Sequence, residues 1–190
     1  MTKKSTTKSD SHSDGLNKST RATSAAQATS LENDTPVRLY IVRHAHAVAA
    51  EENPERLLSK RGRRQVKTLG AFLDESSAFR PGEIWHSPLA RARETAQGLA
   101  QALDLDVPLV EITALESGAD PQVIAPRLHA LQTSVAIVGH EPHLSALASL
   151  LVTGASAPKA FILKKCSALA LERDEAHWAV RWQVSPEILE

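Results

Sequence analysis

The chain has 190 residues, 42% of them hydrophobic, which is enough for one substantial core. Lysine plus arginine and aspartate plus glutamate each number 22, so the formal net charge is zero; this excludes a general electrostatic attraction to nucleic acid or anionic membrane, and any anion specificity must be local. The single cysteine, Cys166, excludes an intrachain disulfide framework and a multi-cysteine metal site, and no apolar run approaches the roughly 20 residues that span a bilayer. With no signal-peptide core at the N-terminus, a cytoplasmic protein is expected.

Residues 1–35 are rich in Ser, Thr, Lys, Asp and Asn, and their apolar residues follow no period. Such a stretch cannot offset its ordering entropy, so a disordered tail is expected, with residues 36–190 as the folded domain. The run from Arg38 to Val42 is apolar and β-branched at its centre and reads as a buried strand that delivers Arg43 and His44 at its end. Val66, Leu69 and Leu73 fall at helical spacing within a helix expected from Ser59 to about Asp74. Glu83 to His86 is a short strand; Ser87 and Pro88 then look like the N-cap and first residue of a helix with the stripe Leu89, Ala92, Ala96, Leu99 and Leu103. A further strand is expected over Val107 to Ile112. Asp120 and Pro121 open another helix, with Ile124, Leu128 and Leu131 inward.

Ser134 to His140 repeats the opening theme of an apolar strand that ends in a histidine, and Glu141 and Pro142 begin a helix bearing Leu144, Leu147 and Leu151. Two last strands, Ser167 to Leu171 and Trp178 to Trp182, are separated by a polar stretch, Glu172 to Glu175, that reads as a turn. Trp178 and Trp182 alternate along their strand as core residues. The alternation of strand and helix implies a three-layer α/β/α sandwich with a mostly parallel sheet, the last two strands adding an antiparallel edge hairpin.

Three strand-to-helix junctions carry notable polar groups: Arg43 with His44, the Ser87 to Arg91 segment, and His140. In a parallel sheet these junctions share one edge, so Arg43, His44, Arg91 and His140 can converge into a compact cationic pocket. Taken singly, each can be a solvated charge or a structural residue; their joint placement points to function. The guanidinium fork matches phosphate oxygens, which makes a phosphoryl group the expected guest. His46, His86 and His143 suggest a metal hydrolase when grouped with His44 and His140, but no nearby acid completes a ligand pattern, so no metal is assigned. His46 and His86 read as rim or structural groups, and Cys166 as packing.

Val42-Arg43-His44-Ala45 resembles the RHG signature of the histidine phosphatase superfamily, whose fold is called phosphoglycerate mutase-like. The segment from Ser87 to Ala96 is similar to its S-P-x-x-R-A-x-x-T-A element, and Val138-Gly139-His140 to its second-histidine motif. Within the superfamily the chain resembles the SixA-type phosphohistidine phosphatases: Leu57 to Gly62 is similar to their L-T/S-x-x-G helix start, and Leu163 to Trp182 to their closing hairpin. The resemblance implies that His44 is the nucleophile and forms a phosphohistidine, that Arg43 and Arg91 bind the nonbridging oxygens, and that His140 completes the phosphate pocket. It implies no cofactor, since a cluster of cations supplies the charge stabilisation.

Two departures stand out. Alanine replaces the usual glycine after the nucleophile, at Ala45, and the nearest candidate for the glutamate general acid, Glu116, does not match the family spacing cleanly. A weak acid matters less for an imidazole leaving group, which is protonated on its own free nitrogen, than for an alkoxide. The expected activity is therefore phosphohistidine phosphatase acting on a histidine-phosphorylated protein, a phosphotransfer domain or phosphocarrier. The alternatives are a small-molecule phosphomonoesterase and a catalytically silent phosphoprotein-binding module.

Overall fold

A computed structural model describes residues 36–175 and 177–189; the segment expected to be a disordered tail, 1–35, lies outside the described residues. Strand β1, Arg38–Arg43, is fully apolar at its centre and has both faces covered. Ser59 caps helix α1, Lys60–Ser76, by accepting a hydrogen bond from the Gly62 amide, as its place before the periodic stretch implies. Strand β2, Glu83–His86, has the bounds the sequence indicates. Helix α2, Ala90–Ala102, starts later than expected: Leu89 stands at its N-cap, and Ser87 with Pro88 remains in the turn. The Ser87 hydroxyl is engaged elsewhere, so it does not cap.

Strand β3 is only Leu109–Glu111, shorter than the apolar run suggested, and it lies at a sheet edge, where one neighbour supports it. A 3₁₀ turn, Thr113–Leu115, leads into helix α3, Pro121–His129, capped by Asp120, which accepts from the Gln122 amide. Strand β4, Val135–Gly139, is buried throughout. Helix α4, His143–Thr153, begins where the Glu141 carboxylate accepts from both the Ser145 amide and its hydroxyl, at 3.2 and 2.8 Å.

Strands β5, Ala168–Asp174, and β6, His177–Val184, are longer than expected. Glu172, Arg173 and Asp174 pair with Ala179, Trp178 and His177, so most of the presumed turn is strand. Polarity there reflects an exposed sheet end, where Glu172 bonds to Arg38 on the neighbouring β1 at 2.9 Å. The two tryptophans do not share a face. A register shift beside Ala170 and Leu171 turns β6 over, so Trp178 packs with Leu39 and Leu171 whereas Trp182 packs against Tyr40 on the opposite side of the sheet.

The six strands run in the order β3-β2-β4-β1-β5-β6. β3, β2, β4 and β1 are mutually parallel, and β5 is antiparallel to both β1 and β6. Tyr40, Val42, Ile84, Ala136 and Val138 face α1 and α2, and Leu39, Ile41, Trp85, Val135 and Ile137 face α3 and α4, which makes two cores, one on each side of the sheet. The fold is thus a three-layer α/β/α sandwich. β1 and β4 are neighbours whose following helices leave to opposite faces, so their C-terminal ends open a crevice at a topological switch point.

Candidate phosphate-binding site

Pairing fixes the height of the junction residues. Arg43 lies beside Gly139 and His86 beside Val138, so His44, Ser87 and His140 emerge together from three adjacent strands. The His44 amide donates to the Gly139 carbonyl at 3.0 Å and the Ser87 amide to the Val138 carbonyl at 3.0 Å. Behind them, the Cys166 amide donates to the carbonyls of Arg43 and His44, at 3.1 and 3.2 Å. The imidazoles of His44 and His140 come to rest with ring centroids 4.9 Å apart.

The protonation state of His44 follows from its contacts. Nδ1 lies 2.7 Å from the Ala45 carbonyl oxygen, which can only accept, so the proton sits on Nδ1 and the lone pair on Nε2. Burial, aided by the charges of Arg91, Arg43 and Lys165, pushes this imidazole down to about 4. It is neutral at pH 7. Ala45 itself is fully buried and is not among the described residues with positive φ, so the position accepts alanine.

His140 holds Ser87: Nε2 is 2.8 Å from Oγ. That hydroxyl is fully buried, and among the described residues Nε2 is the acceptor within reach of its proton, so the hydroxyl donates to Nε2 and the ring proton sits on Nδ1; the Leu89 amide donates to the same oxygen at 3.3 Å. Burial first, then His44 and the nearby arginines, lowers the His140 pKa to about 3. Its Nδ1 is buried without a hydrogen-bond partner among the described residues, and so is Arg43 Nε. The Arg43 Nη1 donates to the Leu163 carbonyl at 2.8 Å, which sets the guanidinium plane.

Arg91, in the first turn of α2, is linked to the loop after β1 by Thr95. The buried Thr95 hydroxyl donates to the Arg91 carbonyl at 2.7 Å and accepts the Ala45 amide at 3.0 Å. Burial and the neighbouring Arg56 lower the Arg91 pKa. His46 pairs through Nδ1 with the Ser59 hydroxyl at 2.8 Å, and its amide donates to Gln65 Oε1 at 3.0 Å. A Cβ on Gly62 would collide with the His46 carbonyl, so glycine alone lets α1 begin this close to the loop after β1.

The structure therefore brings together Arg43, His44, Arg91 and His140. Glu116 caps the 3₁₀ turn after β3, half-buried; among the described residues it makes no hydrogen bond to any of the four, while the carbonyl of the preceding Leu115 lies against Gly139, next to His140. His86 is a structural residue whose Nδ1 bonds to the Ser87 carbonyl at 3.0 Å. His143 donates through Nδ1 to the Ala119 carbonyl at 2.9 Å, tying the loop before α3 to α4. Among the described residues, no three His, Cys, Asp or Glu side chains gather as a metal site, and no helix is long and apolar enough to cross a membrane.

Residues 39–116 match the family described as the histidine phosphatase superfamily (branch 1). Over that segment the chain is similar to the histidine phosphatase superfamily. The matched segment contains His44 and Arg91, while His140 lies beyond it. No curated protein matches the chain in sequence. Solved structures share the fold. The protein histidine phosphatase SixA complexed with tungstate is 22% identical, with a TM-score of 0.72 over 81% of this chain and all of that one. A phosphohistidine phosphatase SixA from Agrobacterium tumefaciens is 24% identical, TM-score 0.65, over 80% of this chain and 99% of that one. A phosphoserine phosphatase from Entamoeba histolytica, in complex with 3-phosphoglyceric acid, is 16% identical, TM-score 0.61, over 81% and 100%.

Several residues around the candidate site have no role legible in the sequence. Ser87 reads as a helix cap but serves as the partner of His140. Thr95 sits inside the quoted element, and its position one turn after Arg91 could have suggested the back-bond to that carbonyl. Arg56 and Lys165 carry no local signal. Their charges are felt at Arg91 and His44, and only the folded chain brings them near.

Proposed function

We propose that this protein is a phosphatase that removes the phosphoryl group from a phosphohistidine on another protein, through a covalent intermediate on His44. The observation that carries this reading is the facing pair of neutral imidazoles. One presents a free Nε2 lone pair; the other, with Arg43, presents a buried donor that has no acceptor among the described residues. A bound phosphoryl group supplies acceptors for both, and a buried donor left unpaired costs about 1–3 kcal/mol.

In the first step the Nε2 lone pair of His44 attacks phosphorus in line while the bond from phosphorus to the substrate imidazole nitrogen breaks. The departing imidazole keeps that electron pair and leaves neutral, protonated on its other nitrogen. Arg43, Arg91 and His140 Nδ1–H take the nonbridging oxygens, whose charge they stabilise without reorganising. In the second step water attacks the phosphorus of phospho-His44, the bond to Nε2 breaks, and inorganic phosphate leaves. This route draws on no group at Glu116. The half-exposed Arg43 and the fully displayed Ile162 beside it, 75% exposed, give the mouth a rim that suits a protein substrate.

The likeness to a phosphoserine phosphatase keeps phosphomonoesters as the second reading. The purified protein is offered a phosphohistidine protein and a panel of phosphomonoesters side by side, and acid quenching during turnover is used to trap label on the chain. Phosphate release from phosphohistidine, with an acid-labile, alkali-stable adduct lost in His44→Ala, is the expected result. Release from monoesters alone overturns the substrate assignment, full turnover by His44→Ala overturns the nucleophile, and binding without release by the wild type leaves a silent module.

A further inference from the structure

The cations around His44 exceed what one phosphoryl group engages. Beyond Arg43 and Arg91, Lys165 and Arg61 line a cavity of about 330 Å³ together with His46 and Gln65, and Arg43 belongs to the walls of both this cavity and the nucleophile site. The carboxylate on its described wall, Glu187, stands 4.0 Å from Lys164, and both side chains are more than half exposed, so their attraction is weak. Lys165 and Arg61 have no ion-pair partner among the described residues. Burial and the charges of Arg43, Arg56 and Arg61 lower the Lys165 pKa, and those of Lys165 and Arg61, after burial, lower that of His46. Like charges held together in a concave, partly desolvated wall are relieved by an anion.

Resting on the phosphohistidine reading, we infer that this cavity receives a carboxylate of the substrate protein, an Asp or Glu displayed near the phosphorylated histidine, with Lys165 and Arg61 as its specificity-determining residues. The shared Arg43 places the second anion next to the phosphoryl group. Both subsites then read one contiguous patch of the partner. A polypeptide carboxylate is favoured over a free bisphosphate because exposed Ile162 borders the same arginine through the Leu163 carbonyl and offers an apolar contact that a small polyanion has no use for.

The test compares two phosphohistidine peptides that differ only in Glu against Gln beside the phosphorylated residue, and two phosphomonoesters that differ only in a second phosphate. The wild type should favour the Glu peptide by roughly tenfold in kcat/KM, expressed in KM, as expected for one partly desolvated charge pair. The preference should shrink in high salt and approach unity in the double variant Lys165→Ala, Arg61→Ala. Arg61 is exposed and Lys165 half-buried, so folding is not at stake, and the salt series on the wild type tests the same point without a variant. A Glu/Gln ratio near one in the wild type, or a preference unaffected by salt and by the variant, overturns the inference. If the wild type cleaves neither peptide but turns over monoesters, the phosphohistidine reading fails on its own. The monoester pair then decides the cavity: a preference for two phosphates that the variant loses replaces the protein carboxylate with a small polyanion, and no preference removes the subsite.

Discussion

Acidification should destabilise this protein through His44 and His140, and the size of the effect follows from their burial. In the unfolded chain both imidazoles take up a proton near pH 6.5; in the folded chain they do so at about 4 and about 3. Between these limits the unfolded state binds more protons than the native one, so stability rises with pH and is lost as pH falls below 6.5. Each excluded proton costs about 1.4 kcal/mol per pH unit, so from pH 6.5 to 5 the pair would cost about 4 kcal/mol if fully shielded. Both rings lie at the mouth of an open crevice, and screening by water reduces this to about 2–3 kcal/mol. The assay is urea unfolding at pH 7, 6 and 5 for the wild type and for the double variant His44→Asn, His140→Asn, in which neither side chain titrates. The wild type should lose stability more steeply, by 2–3 kcal/mol over the range. Parallel losses in the two proteins would refute the reasoning, because they would place the acid-sensitive groups elsewhere.

Turnover should follow the same ionisation: kcat/KM stays level down to about pH 5 and falls as His44 protonates near 4, and a limb near 6.5 would show an unperturbed nucleophile. Arg91→Ala should lower turnover by on the order of 100-fold, with only partial recovery in Arg91→Lys because an ammonium lacks the bidentate fork; unchanged rates would remove the arginine from the site. Ser87→Ala removes the hydroxyl on His140 Nε2 and should reduce kcat about tenfold in single-turnover kinetics, with the fold intact by circular dichroism. Glu116→Gln should leave phosphohistidine hydrolysis nearly unchanged; a loss of 100-fold or more on monoesters that the wild type cleaves well would establish it as a general acid and favour the monoester reading.

The strands that carry Arg43, His44 and His140 are readable in the sequence because their signal is local: a short β-branched run, a change to polar residues, and a helix-forming stretch beyond. The sheet's parallel order then brings their ends together with no further information. Ser87 escapes such reading because a serine before a proline has two competing uses, and the choice depends on His140, 53 positions away. Lys165 and Arg56 are legible only as loop cations, since their contribution is a field summed over the folded site. The inversion of Trp182 relative to Trp178 depends on one extra residue in β6, and strict alternation has no way to register a bulge.

Gly62 carries no functional group, yet it is the point where α1 presses on the carbonyl of His46, two residues beyond His44. Any side chain there has to displace the loop after β1 or lift the start of α1, which would carry along Ser59 and its grip on the His46 ring. In a mutational scan this glycine would therefore rank beside the arginines by activity and would also lose stability, because the clash is with backbone. Catalytic intolerance at this position is a matter of clearance. The backbone itself, through the space it must be given, acts as one of the parts that aim His44.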